Sequence, residues 1–214
     1  MSNLEKAILF FVKEFPQSLG RTKLIKSLYL LDCEWYEMYG RTFTGLEYKR
    51  DKNGPFDSAL YHALDHLEDI GLIFQKPYPH LGSTGYEIIY AGKDKEIDLD
   101  PLAESICRRI IDDLKDGDLN AFLQAAYSTA PMKAVTARET ETVKLLGEVL
   151  PMHELIKEPE PIFTLDEVKE AMRKLDLTNR GSDDEYNEVV FAEYVSLAKL
   201  RERVLNAWKE IGEK

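Results

Sequence analysis

The sequence predicts an α+β fold: a mainly helical domain with a small β-hairpin or winged-helix-like element, followed by C-terminal helices. Three observations carry that prediction. Apolar residues recur at three- and four-residue spacing in segment after segment, as in helices with one buried face. A helical pattern that stops at Gly71 passes into two β-type runs, residues 72–74 and 86–90, with turn-rich residues between them. A proline-rich break at residues 158–161 then separates a domain over residues 1–157 from a helical extension over residues 158–214, expected to pack on the body or on a partner.

Leu4, Ile8, Phe11, Val12 and Phe15 line one side of a first helix. Asn3 is its expected N-cap, and Pro16 ends it by removing a backbone donor. After a turn over residues 17–20, a second helix begins near Arg21 or Thr22 and runs to Gly40, its expected C-cap. Leu24, Leu28, Leu31 and Trp35 form its stripe, widened by Ile25, Tyr29, Tyr36 and Tyr39. Such a helix belongs in the core, with neighbours on several sides. Residues 43–48 read as a short extended segment, followed by the charged run 49–52. Asn53-Gly54-Pro55 then sets the backbone. A residue before proline is kept out of the α region, and glycine reaches conformations closed to other residues. Pro55 is expected to open a third helix. Leu60, Leu64, Leu67 and Ile70 are its buried positions, Ala63 allows close approach, and Gly71 ends it. Residues 77–85 read as a turn-rich connection between two short strands.

Asp100-Pro101 marks another helix start, an acceptor at the N-cap followed by proline in the first turn. Leu102, Ile106, Ile110 and Leu114 supply its stripe, and Gly117 breaks it. Leu119, Phe122, Leu123 and Ala126 mark the next helix, which leads to Tyr127, Thr129 and Pro131. Thr136 with Glu139 fits a capping box for a further helix with Val143, Leu146 and Val149 on its apolar side. In the extension, Thr164 and Glu167 fit a second capping box ahead of Val168, Met172 and Leu175. Ser182 is the expected cap of a terminal helix carrying Val189, Tyr194, Leu197, Leu200, Val204 and Trp208. Strict heptads are absent there.

Charge narrows the function classes. The 214 residues hold 28 Lys and Arg against 39 Asp and Glu, a formal charge of -11. Residues 1–92 carry 10 basic and 12 acidic groups, and residues 93–214 carry 18 and 27. The second half therefore repels nucleic acid, while the nearly neutral first half has room for a local basic patch. Cys33 and Cys107 sit in helical, partly apolar segments, which favours reduced core thiols, with a single disulfide as the alternative. Glu5 and Lys6 interrupt any leader-like start, and no apolar run approaches the ~20 residues that span a bilayer. These features predict a cytoplasmic protein.

The stretch Lys23-Leu24-Ile25-Lys26-Ser27-Leu28-Tyr29-Leu30-Leu31-Asp32 resembles the opening helix of the Panacea domain, also described as SocA-like. Gly54-Pro55 ahead of an amphipathic helix is similar to that family's Gly-Pro junction. Tyr127, Thr129 and Pro131 resemble its later helix ending in proline. The resemblance spans roughly residues 4–135. It implies a bacterial or phage-associated antitoxin-like module, mainly helical with a small β element, whose partner is a cognate toxin. One branch of the family acts as an adaptor presenting its toxin to a cellular protease. The chain itself offers no obvious catalytic constellation and no Gly-rich phosphate cradle, so no cofactor and no enzymatic activity are expected.

Candidate binding residues follow from the same stretch. Lys23 and Lys26 lie three apart and share a helix face, with ordinary solvation as the competing reading. Tyr29 and Tyr36 combine an aromatic surface with a hydroxyl, with core packing as the alternative. Gly54 and Pro55, with Leu24, Leu28 and Pro131, form the structural motif, whose rigidity would position Arg50, Lys52 and Asp57 for a partner. A groove between the 23–39 and 55–70 helices would bind protein by apolar burial with a polar rim. His62 and His66 are four apart, with Asp65 and Asp69 nearby and Cys33 as a possible third ligand. They lack the glutamate of the H-E-x-x-H zinc arrangement, so no metal site is expected. The main alternative function is a winged-helix-like DNA-binding transcriptional regulator with Arg50, Lys52 and Lys76 near the duplex. The scarcity of positive groups weighs against it.

Overall fold

The computed structural model describes residues 1–80, 83–92, 97–156, 166, 169–170, 187–193, 195–196 and 199. The chain divides into two compact units, Met1–Glu158 and Pro159–Lys214. In the second, residues 187–193 are helical. The expected capping box at Thr164 and Glu167, the Ser182 cap and most of the terminal apolar positions lie outside the described residues. No helix among those described is long and apolar enough to cross a membrane.

The first unit is built on two helices that are buried on most sides. Helix α1 (Asn3–Glu14) buries six consecutive residues from Ala7 to Val12, as a helix surrounded by protein must. Its cap is Ser2, not Asn3. The Ser2 hydroxyl accepts from Glu5 N, and the Glu5 carboxylate accepts from Ser2 N, closing a capping box. Asn3 instead donates to the Phe43 carbonyl at 3.3 Å. After strand β1 (Leu19–Gly20), helix α2 (Arg21–Tyr39) runs through the middle of the domain. It packs against α1, the later helices and both small sheets. Its predicted stripe of Leu24, Leu28, Leu31 and Trp35 is buried, while Tyr39 is exposed. Gly40 ends it at φ 64°, a left-handed conformation that favours glycine.

Residues 43–48 form no strand. Strand β2 (Lys49–Asp51) and strand β3 (Gly54–Phe56) instead make a tight two-stranded hairpin, with Arg50 opposite Pro55. Pro55 thus lies in a strand and does not open helix α3 (Ala59–Asp69). Asp57 prepares that helix, its carboxylate accepting from Ala59 N at 2.9 Å and from Glu47 N at 2.7 Å. Leu60, Ala63, Leu64 and Leu67 are buried, but Ile70 is exposed beyond the helix end, where Gly71 turns at φ 72°.

Strands β4 (Ile73–His80) and β5 (Ser83–Tyr90) are longer than the sequence indicates, because they run through Pro77 and Pro79. Gln75 N points away from the hairpin and donates to the Glu68 carboxylate at 2.8 Å. Gln75, Pro77 and Pro79 alternate along that same outer edge. The prolines therefore remove no ladder bond and blunt the edge against stray pairing. The three-stranded sheet has the order β1-β5-β4, with Leu19 opposite Ile88 and Gly20 opposite Glu87.

Helix α4 (Pro101–Leu114) begins as its cap predicts, Asp100 accepting from Leu102 N and Ala103 N. Leu102 is exposed, and Ala103 and Cys107 join Ile106, Ile110 and Leu114 in the buried face. Helix α5 (Leu119–Tyr127) and helix α6 (Ala130–Thr136) follow. The helix expected after Thr136 is absent: Thr136 closes α6, and the chain becomes irregular. Arg50 N donates to Glu148 O, Gly147 N to Arg50 O and Leu150 N to Tyr48 O, so this stretch lies against the β2 segment. Val143, Leu146 and Val149 are exposed accordingly. A 3-10 turn, Met152–Leu155, closes the unit.

Candidate functional site

Four polar residues of α2, spaced by three, reach four different parts of the chain. Lys23 Nζ donates to Gly117 O at 3.0 Å and lies 4.9 Å from the Phe122 ring centre. Lys26 Nζ donates to Pro55 O at 2.7 Å. The Tyr29 hydroxyl pairs with that of Thr129 at 2.7 Å. Asp32 accepts the amides of Phe43 and Thr44 and the hydroxyls of Thr44 and Tyr48. The buried helix thus staples the α4–α5 turn, the hairpin, the α5–α6 junction and the 43–48 loop in succession. Asp32 explains why that loop is no strand: its amides bond to a carboxylate rather than to a neighbouring strand.

Burial sets the electrostatics of these groups. Lys26 is 1 % exposed. Desolvation pushes its ammonium down to about 7, opposed by the nearby Asp51 carboxylate. Burial pushes Asp32 up to about 6, against the pull of its hydrogen bonds. Burial likewise raises the thiols of Cys33 and Cys107, which are free and buried. Arg50 is buried too. Its Nε and Nη2 donate to Glu139 at 2.9 and 3.2 Å, and Nη1 donates to the Tyr127 hydroxyl at 3.0 Å and to Asp51 O. The Arg50 hydrogen bond holds Glu139 below the usual carboxylate range. Gly54, at φ 88°, fits beneath this group, and a Cβ there would lie 3.1 Å from Tyr127 Cε2. The structure therefore places Lys26, Tyr29 and Arg50 inside the domain with partners of their own. Lys23, Tyr36 and Asp57 are half-buried, and Lys52 is exposed. Leu24, Leu28, Gly54, Pro55 and Pro131 are all buried.

A concavity of about 660 Å³ opens where the start of α2 meets β5, α3 and the β2–β3 turn. Arg21, Thr22, Lys23, Asn53 and Tyr61 line one side, and Tyr78, Thr84 and Tyr86 the other. The Arg21 guanidinium sits 3.7 Å from the Tyr86 ring centre and 5.1 Å from that of Tyr61. Its Nε and Nη2 donate to Gln75 Oε1 at 3.1 and 2.6 Å. A smaller recess of about 170 Å³ shares Arg21, Thr22, Asn53 and Tyr61 and reaches Lys26 and Asp51. The groove expected between two helices is thus a hollow among helix, hairpin and sheet edge. Sequence reasoning missed Asn53, Tyr61, Tyr78 and Tyr86 as lining residues, since nothing local marks them. A second hollow, of about 490 Å³, has Leu30, Cys33 and Leu114 at its floor and Glu34, Glu37 and Asp113 around it.

The histidines do not converge. His62 and His66 are exposed on α3, and His66 Nδ1 pairs with Glu5 at 2.6 Å. Among the described residues no three His, Cys, Asp or Glu side chains form a group that would hold a metal ion.

A family model described as Antitoxin SocA-like, Panacea domain, matches residues 24–176. The match begins within α2 and extends past Val135, the limit of the motif-based resemblance. No curated protein and no solved structure matches the chain.

Proposed function

The chain belongs to the SocA-like antitoxin family defined by the Panacea domain, and from that premise we propose that it binds a cognate toxin and neutralises it. The observation that carries this reading is the family match over residues 24–176. It fits an antitoxin-like, non-catalytic regulatory role with a toxin as partner. Support from geometry lies in the hollow at the start of α2: a rigid floor of stapled residues beneath a rim of aromatic and charged side chains suits a protein surface. Lys23, Tyr36, Lys52 and Asp57 are the proposed contacts, of which Lys23 lines this hollow and the other three lie outside its lining, with Lys26, Tyr29 and Arg50 as buried frame residues. Neutralisation proceeds either by occluding the toxin or by presenting it to a cellular protease. The DNA-binding alternative has less support, because the helix ahead of the hairpin carries Asp65, Glu68 and Asp69.

The test is co-expression of the full chain with candidate toxins, beginning with the product of the adjacent reading frame. Growth rescue and co-purification with one toxin are expected. A shortened toxin half-life on co-expression assigns the protease route, and an unchanged half-life assigns occlusion. Failure of the folded chain to rescue or bind any toxin in the set would overturn the proposal.

A further inference from the structure

The three-stranded sheet has two edges, and they are treated differently. The β4 edge is closed: Gln75 N is taken by Glu68, and Pro77 and Pro79 have no N–H to offer. The β5 edge is covered only where Leu19 and Gly20 pair with Ile88 and Glu87. There the chain turns off into α2, and among the described residues no strand continues alongside Thr84 and Tyr86. By alternation along the ladder, these two residues point their backbone groups to the β1 side, where Gly20 lies against the Tyr86 carbonyl and leaves Thr84 and the Tyr86 N–H to the open edge. That side is the 660 Å³ concavity, which Thr84 and Tyr86 themselves line.

The charge at this open edge is positive. Arg21 is fixed against two tyrosine faces and spends Nε and Nη2 on Gln75, leaving its remaining donors for a ligand. Lys23 has one carbonyl partner for three ammonium protons. The first turn of α2 contains no acidic residue. Glu87 is the carboxylate of the lining, and Ser18 donates to it. In a chain of net charge -11 this is a local reversal of sign.

We propose that an extended acidic segment of the protein partner adds to the sheet here as a fourth strand, taking over where β1 leaves off. Its backbone pairs with β5 at Thr84 and the Tyr86 N–H, and its carboxylates meet Arg21 and Lys23. Main-chain bonds supply affinity, and the side chains on the hollow supply selection. The hollow's size suits a few residues of extended chain. This proposal rests on the antitoxin reading for the identity of the partner, but not for the existence of the site.

Two kinds of experiment test it. In the first, the full-length protein is titrated with a synthetic eight-residue peptide of alternating Asp and Val, with its Lys-for-Asp counterpart, and with a single-stranded oligonucleotide. The acidic peptide is expected to bind, and slowed amide exchange at Thr84 and Tyr86 locates it without any variant. T84P removes an outward donor while sparing the β4 ladder, and R21Q removes the fixed charge. Each is expected to weaken peptide binding about tenfold or more. Equal binding of the acidic and basic peptides, tighter binding of the oligonucleotide, or unchanged exchange at both amides would overturn the proposal. In the second, toxin neutralisation that survives both T84P and R21Q would overturn strand addition while leaving the antitoxin reading intact. Acidic-peptide binding at the edge by a chain that rescues no toxin would uphold the site and sink that reading instead.

Discussion

Replacing Asp32 by alanine strands the donors it collects. The amides of Phe43 and Thr44 lie 2.7 and 2.9 Å from Oδ1, and the Tyr48 hydroxyl lies 2.7 Å from Oδ2, beside that of Thr44. The hydroxyls can turn elsewhere, but the two amides are fixed by the loop. At about 1–3 kcal/mol for each buried unsatisfied donor, D32A should lose about 2–6 kcal/mol, a large part of a ~5–15 kcal/mol margin. D32N keeps an acceptor for both amides and should recover most of that loss. Acidity then separates charge from hydrogen bonding. Burial raises the carboxyl from 3.8 to about 6, and a shift of ~2 units corresponds to ~3 kcal/mol. Between pH 3.8 and 6 the native state keeps a proton that the unfolded chain has released. The cost of burying the charge is therefore present in full above pH 6, and it is relieved as pH falls through that window. Urea melts of wild type and D32N at several pH values give the assay, and taking the difference cancels the other carboxylates. Wild type should gain ~2 kcal/mol relative to D32N from pH 7 to pH 4, most of the full shift. A difference that does not change with pH, or a D32A protein within about 1 kcal/mol of wild type, would refute the reasoning.

Gly54→Ala forces a Cβ to 3.1 Å from Tyr127 at φ 88° and should cost ~1–3 kcal/mol in a urea melt; an unchanged midpoint would show that the junction relaxes freely. Burial depresses Lys26 from 10.5 to about 7, so the unfolded chain holds the extra proton between those values and stability attributable to Lys26 rises with pH through that window. Wild type should therefore gain ~4 kcal/mol relative to Lys26→Met between pH 7 and 10, and parallel stability curves would count against a buried ammonium there.

The helices α1, α2, α4 and α5 were legible because their evidence is local. Apolar spacing, the Asp100-Pro101 start and the Gly40 stop lie within the segments they organise, and they led to the right elements. Where a residue's conformation depends on a distant partner, the local reading went astray. Pro55 carries the signal of a first helical turn, yet pairing with Arg50 makes it part of a strand. Residues 43–48 look extended, but Asp32 gathers their amides into a loop. Pro77 and Pro79 look like turn residues, and only their place on an outer edge lets β4 continue through them. Thr136 and Glu139 have capping-box spacing, but Arg50 takes the Glu139 carboxylate.

The candidate site divides in the same way. The sequence by itself determined that α2 is central, that its Lys-Leu-x-Lys-x-Leu-Tyr pattern belongs with Gly54-Pro55, and that the chain resembles an antitoxin family. Only the tertiary structure decided which polar groups face inward. Lys26 meets Pro55 across 29 positions, Arg50 meets Glu139 across 89 and Tyr29 meets Thr129 across 100. A helix repeat describes neighbours three and four residues away and carries no information about such partners. A buried polar group, however, must find one. Folding therefore turned the apparent contact residues Lys26, Tyr29 and Arg50 into the frame, and left Arg21, Lys23 and the open edge of β5 at the surface.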